Sequence, residues 1–191
     1  MSAPKFTTLT ARCVVLSNTD VDTDQIIPAQ YLAYSLSLPE ERKMYARFAL
    51  SGVPEKGQGL PSGKIPFTRE DSFKSDYKIV IGGKNFGCGS SRALASFCMR
   101  EAGVEAVIAE FYSRIFFRNS VNGGYLIPFE TDIRLVEELK TGEELELDVQ
   151  KQSLKNLTTG KTYPLKPIGD VLPIIEAGDV FKYAKSKGMM K

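Results

Sequence analysis

Residues 77–127 read YKIVIGGKNFGCGSSRALASFCMREAGVEAVIAEFYSRIFFRNSVNGGYLI, and the order of apolar and polar runs in this stretch decides the fold. Tyr77-Lys78-Ile79-Val80-Ile81 has the apolar density of a buried strand, Gly82 to Gly89 forms a glycine-rich turn, and a helix follows from about Ser91 to Ala102. Ala106-Val107-Ile108-Ala109 is a second strand, Tyr112 to Val121 an amphipathic helix, and Tyr125-Leu126-Ile127 a third, short strand. Strand, helix, strand, helix, strand implies parallel pairing through right-handed crossovers.

Working outward, the valine-rich run Thr10 to Leu16 reads as a buried strand that stops at the turn formers Ser17-Asn18-Thr19-Asp20. A polar loop leads to a helix over Pro39 to Leu50, with proline in its first turn and Gly52 past its end. Residues 52–73 carry Gly52, Gly57, Gly59 and Gly63 with Pro54, Pro61 and Pro66, the composition of a long loop, and long loops are usually functional or mobile. Beyond a short helix within 131–140, Leu145-Glu146-Leu147-Asp148-Val149 alternates with period two. Ser153 to Leu157 and Lys161 to Leu165 then flank the hairpin turn Thr158-Thr159-Gly160. A final helix is expected over Glu176 to Lys187. With no internal repeat and no low-complexity linker, residues 1–191 read as one α/β domain, a mainly parallel central sheet with β-rich additions.

Composition narrows the function. A net charge of +2, from 25 basic and 23 acidic residues spread along the chain, offers no patch for nucleic acid or a membrane surface. No run approaches the roughly 20 apolar residues that span a bilayer, and Met1 to Thr10 lacks a hydrophobic signal core, so a cytoplasmic protein is expected. Cys13, Cys88 and Cys98 have no CxxC spacing and fit a reducing compartment. The chain has no histidine, which removes the Ser-His-Asp triad, the Cys-His dyad and the His-ligated zinc site.

Two segments remain for chemistry. In Gly82-Gly83-Lys84-Asn85-Phe86-Gly87-Cys88-Gly89-Ser90-Ser91-Arg92, glycines such as Gly89 let the backbone approach a ligand, the helix start attracts an anion, and Arg92 offers a planar fork to a carboxylate or phosphate. Ser90 and Ser91 can cap the helix or face the bound group. The segment is not a P-loop, since the Gly-Lys-Thr at 160–162 has Lys155 five residues before it. Nor is it a dinucleotide fingerprint, because Gly87-x-Gly89 is followed by arginine at 92. A glycine turn with serine N-caps and no ligand reads equally well. The second segment, Asp20-Val21-Asp22-Thr23-Asp24-Gln25, lacks the glycine and terminal glutamate of a calcium loop; a series of Asx turns is the ordinary reading, and orienting a partner's base or a substrate group is the other. Cys88 reads as a loop thiol, with no metal site in this chain. Arg114 and Arg118, four apart, mark a solvated helix face or a substrate or subunit contact.

Three stretches, Asp22-Thr23-Asp24-Gln25-Ile26-Ile27-Pro28, Asn85 to Arg92, and Arg114-Ile115-Phe116-Phe117-Arg118-Asn119-Ser120, stand in the order found in one family, and a weaker match runs through Thr158 to Lys161 and Lys166 to Asp170. The chain resembles the 3-isopropylmalate dehydratase small subunits, the free-standing counterpart of the mobile fourth domain of aconitases. The resemblance implies a swivelling β/β/α domain with no cofactor of its own. It implies a large partner subunit carrying a [4Fe–4S] cluster and a small hydroxy-dicarboxylate as substrate. It also implies a hydro-lyase that is active only as the heterodimer and interconverts 2- and 3-isopropylmalate in leucine biosynthesis. By the same resemblance Ser90 takes and returns the proton on carbon, Ser91 and Arg92 beside Gly89 hold a substrate carboxylate, and Asp24 pairs with a partner histidine.

The loop Tyr31-Leu32-Ala33-Tyr34-Ser35-Leu36 occupies the place where relatives read the variable part of the substrate. Relatives that accept an extra carboxylate place arginine after the Tyr-Leu pair; here Leu32 is followed by Ala33, which favours an alkyl group because a buried unpaired carboxylate is costly. One departure stands out: family members continue Ser-Ser-Arg with Glu-His-Ala, and this chain has Ala93-Leu94-Ala95. A homoaconitate-type or methylthioalkylmalate-type hydro-lyase and a non-catalytic carboxylate-binding module are the competing readings.

Overall fold

Ile79, Val80 and Ile81 are wholly buried because the strand they belong to has neighbours on both sides and layers on both faces. In the computed structural model, which describes residues 7–54, 67–69 and 71–190, β2 (Tyr77–Ile81) lies between β1 (Thr8–Val15) and β3 (Ala106–Ala109). Both neighbours are parallel to it, and β4 (Ile127–Glu130) continues the parallel set at the edge. On the other side of β1 the direction reverses. β5 (Glu144–Asp148), β6 (Ser153–Asn156) and β7 (Thr162–Pro164) are antiparallel, completing a seven-stranded sheet of order β4-β3-β2-β1-β5-β6-β7.

Strand alternation divides the apolar residues between two cores. Val14, Val80 and Val107 join Ile26, Ile27, Tyr45, Phe86, Met99 and Phe116 on one face. Cys13, Val15, Ile79, Ile81 and Ile108 join Phe129, Leu145, Leu147, Leu154 and Tyr163 on the other, where the antiparallel strands curl over. The first face is covered by α1 (Thr23–Ile26), α2 (Pro39–Arg47), α3 (Leu94–Glu101) and α4 (Arg114–Asn122). Tyr45 of α2 packs edge-on against Phe97 of α3 at 5.6 Å, and the Arg42–Glu101 pair at 2.7 Å closes the rim of that contact. The second face receives Leu135 of α5 (Leu135–Glu138) and Ile175 of α6 (Leu172–Ala177), before α7 (Val180–Ser186) ends the chain on the surface. No helix among the described residues is long and apolar enough to cross a membrane.

The architecture is the expected one, with local differences. The helix expected from Ser91 begins at Leu94, with Ala93 at its N-cap and no side-chain cap, so neither Ser90 nor Ser91 caps it. The third strand starts at Ile127: Tyr125 instead donates its N–H to the Ser120 carbonyl and packs on Phe97, while Pro128 is tolerated because β4 is an edge strand. The single C-terminal helix is two, broken at Gly178, whose φ of 107° no helix accommodates. The polar loop expected before the Pro39 helix contains α1 and a 3-10 turn over Ala29–Tyr31. Of the long loop 52–73, residues 55–66 and 70 lie outside the described residues.

Candidate active site

β1 and β2 are parallel, so the loops that leave them emerge at the same edge of the sheet and extend the ladder there. Asp20 N–H donates to the Lys84 carbonyl (2.9 Å), Gly87 N–H to Val21 (2.7 Å) and Thr23 N–H to Cys88 (2.9 Å). The second loop is bolted down by Phe86, buried against Phe116 (5.4 Å) and Tyr112 (6.2 Å) in edge-on contacts. Burying one such ring contributes about 1.5–3 kcal/mol. Asn85, at φ 54°, donates to Asp20 Oδ1 at 2.7 Å. The first loop is set by a capping box: Asp22 accepts the Gln25 N–H at 2.7 Å, and the Gln25 side chain accepts the Asp22 N–H at 3.3 Å. The ordinary reading of the acidic run thus holds for Asp22, which is occupied in turning the chain.

This capping turns Thr23 inward and Asp24 outward. The Thr23 side chain, 1% exposed, accepts the Ser90 N–H at 3.1 Å and stands 3.0 Å from Ser90 Oγ. Gly89, at φ +95°, lets the chain pass so near; a Cβ there would lie 3.3 Å from Thr23 Oγ1. Asp24 receives both arms of Arg92, Oδ1 at 2.6 Å from Nη1 and Oδ2 at 3.3 Å from Nη2. The hydrogen bond from Arg92 pulls the Asp24 carboxyl below its ordinary value, so it stays ionised well below neutral pH. Asn119 of α4 donates from Nδ2 to the Ser91 carbonyl at 3.2 Å, which ties the Ser90-Ser91-Arg92 segment to that helix.

The structure therefore gathers Asp24, Gly89, Ser90, Ser91 and Arg92, all read as site residues from the sequence. It adds Thr23 and Asn119, which were inside recognised stretches but had no role assigned. Thr23 carried one signal, a hydroxyl residue one position before Asp24 that α1 must point into the core. Within the chain the partner of Asp24 is Arg92. Leu32 is half-buried against the first core and Ala33 is exposed; Tyr45 Oη donates to the carbonyls of Leu32 (3.2 Å) and Tyr34 (2.8 Å), fixing this loop outside the hydrogen-bonded cluster. At the departure from the family pattern, Ala93 is exposed and Leu94 packs against the first core. Cys88 is a free thiol raised above its ordinary value by partial burial and by Asp20 and Asp22, which makes it a poor nucleophile near neutral pH. Phe116 is core.

Chemically, Thr23 Oγ1 uses one lone pair for the Ser90 N–H, and its own proton is free to point at Ser90 Oγ. A donor so placed stabilises negative charge on that oxygen. The cluster lies at an open edge, Gly89 and Ser91 exposed, so it becomes a dry cleft only when another surface closes on it. Thr23→Val is expected to destabilise the chain by about 1–3 kcal/mol, because the Ser90 N–H loses its acceptor. Thr23→Ser should restore most of this, and urea titration of the two variants checks it.

Residues 3–132 match the family described as the aconitase C-terminal domain. The chain is 44% identical over 181 residues to 3-isopropylmalate dehydratase small subunit 3 of Arabidopsis thaliana, covering 93% of this chain and 69% of that protein. It is 37% identical over 170 residues to the isopropylmalate/citramalate isomerase small subunit of Methanocaldococcus jannaschii, covering 88% of this chain and 89% of that one. A crystal structure of 3-isopropylmalate dehydratase from the same archaeon superposes with a TM-score of 0.74 at 30% identity, over 95% of this chain and 96% of the other.

Proposed function

The chain belongs to the aconitase C-terminal domain family, and from that membership and the Thr23–Ser90–Arg92 geometry we propose that it is the small subunit of a 3-isopropylmalate dehydratase. In this reading it isomerises 2-isopropylmalate to 3-isopropylmalate, in leucine biosynthesis, together with a large subunit. The observation that carries the assignment is a serine hydroxyl, backed by a buried threonine and flanked by an arginine fork, on an open edge of the sheet.

Ser90 Oγ, as the alkoxide, takes the proton from the substrate carbon; the C–H electron pair becomes the new π bond, and the C–O pair of the adjacent carbon leaves with its hydroxyl, which departs as water on a proton supplied by an acid of the large subunit. Rehydration runs the same step backwards with the hydroxyl on the other carbon, and Ser90 returns the proton. A neutral serine is a weak base, so the Thr23 hydroxyl and the Arg92 charge lower the cost of the alkoxide. Ser91 and Arg92 hold a substrate carboxylate, and the apolar loop with Leu32 and Ala33 receives the isopropyl group. The [4Fe–4S] cluster implied by the family does not fit this chain's thiols. Cys13 and Cys98 are fully buried, with Cys13 pushed up to about 12 mainly by burial, and no group of three or more His, Cys, Asp and Glu among the described residues is placed to hold a metal. We assign the cluster to the large subunit. Three free cysteines support a reducing compartment, and we place the protein in the cytoplasm.

The test is anaerobic reconstitution with the large subunit, following the unsaturated acid. Turnover by the mixture and none by this chain alone is the expected result; a stable, cluster-loaded complex without turnover would instead support the binding-module reading. Arg92→Lys should raise KM about tenfold or more, because a point charge cannot replace the bidentate fork. An unchanged KM would remove Arg92 from the carboxylate site.

A further inference from the structure

Helix α4 has a second flank. At about 100° per residue, Arg114 and Arg118 project roughly 100–140° away from Asn119, the residue that holds the Ser91 carbonyl. With Phe117, Glu130, Lys166 and Ile168, the two arginines line a cavity of about 280 Å³ where α4, the end of β4 and the segment after β7 meet. Lys166 is already engaged: its Nζ is 2.7 Å from Asp132 Oδ1 and its N–H donates to the Glu130 carbonyl at 2.7 Å, which fixes that wall. Among the described residues no carboxylate pairs with Arg114 or Arg118. Phe117, Pro128, Pro167 and Ile168 make the rest of the lining apolar. Tyr112 lends it a ring but no hydroxyl, since Tyr112 Oη donates into the core to the carbonyls of Val107 (2.7 Å) and Phe129 (3.0 Å).

Two like charges one helical turn apart repel, and the one carboxylate in the lining, Glu130, against the two arginines leaves an excess of positive charge for an anion to balance. We propose that this cavity is a binding site for a small organic carboxylate with an apolar body, distinct from the Ser90 site on the other flank of α4. The carboxylate bridges Arg114 and Arg118, and the hydrocarbon lies against Phe117 and Ile168. The volume is just below the range of about 300–1,000 Å³ usual for ligand pockets, which suits a branched acid of about six carbons.

The test is calorimetric titration of the full chain with 4-methylpentanoate, its neutral amide 4-methylpentanamide, and inorganic phosphate. The acid is expected to bind with a Kd of about 1 mM or below, with the amide and phosphate about tenfold weaker or worse. Arg114→Gln combined with Arg118→Gln should weaken the acid about tenfold or more, and so should Arg118→Gln alone to a smaller degree; both side chains are exposed, so the fold survives the change. Arg92→Lys should leave this binding unchanged, which separates the site from the one at Ser90. Saturation only above about 10 mM, equal binding of the amide or of phosphate, loss in Arg92→Lys, or loss of binding when the large subunit is added, overturns the assignment.

Discussion

Ser90→Ala is expected to lower kcat of the reconstituted enzyme by about 10²–10⁴-fold while KM stays within about threefold. The reasoning rests on what the hydroxyl touches. Among the described residues its side-chain hydrogen-bond partner is Thr23, and Ser90 remains partly exposed, open to a ligand. On the proposed function, removing the oxygen deletes a group that acts in the transition state and leaves the Arg92 fork, assigned to binding, untouched. The chain should fold normally, because the Ser90 N–H keeps its Thr23 acceptor. Steady-state kinetics on the anaerobic complex provide the measurement. A kcat within about tenfold of wild type would deny Ser90 the proton-transfer role.

Gly87→Ala is expected to destabilise the chain by about 2–5 kcal/mol. Gly87 sits at φ +76°, where a Cβ meets the backbone unfavourably, and that Cβ would come within 2.2 Å of Phe116 Cγ. Phe116 cannot step aside: it is 1% exposed and wedged against Phe86 and Tyr112. The Gly87 N–H also holds the two site loops together through the Val21 carbonyl at 2.7 Å, so the strain is delivered to the loop that carries Ser90. Urea unfolding should show the midpoint falling with little change in slope. A loss below about 0.5 kcal/mol would mean that the loop repacks freely.

The parallel half of the fold was legible because buried strands advertise themselves: β2 and β3 end where their apolar runs end. The errors fell where a tertiary contact overrode a local signal. Ser90 and Ser91 look like caps, but the chain around them is drawn toward Thr23 and α3 starts three residues later than Ser91. Tyr125 has strand propensity, yet its ring is needed against Phe97. In the site, Ser90, Arg92 and Asp24 were readable from motif and residue type. The contacts that organise them were not, since Thr23 and Ser90 are 67 residues apart and Asn119 and Ser91 28 apart, separations at which no sequence periodicity operates. The same limit hid the second flank of α4: the spacing of Arg114 and Arg118 gave a shared face, but not the cavity that this face lines.

If Arg92 is the carboxylate fork proposed above, its pairing with Asp24 means that the fork is occupied before any substrate arrives. Asp24 behaves as a tethered competitor, present at an effective concentration on the order of millimolar or more, and an incoming carboxylate has to win the fork from it. A monoacid offering one contact gains little by the exchange, whereas a diacid gripped at both ends gains the second attachment. On that proposal, discrimination against the many simple carboxylates of a cell would be written into a contact between two residues of the same chain.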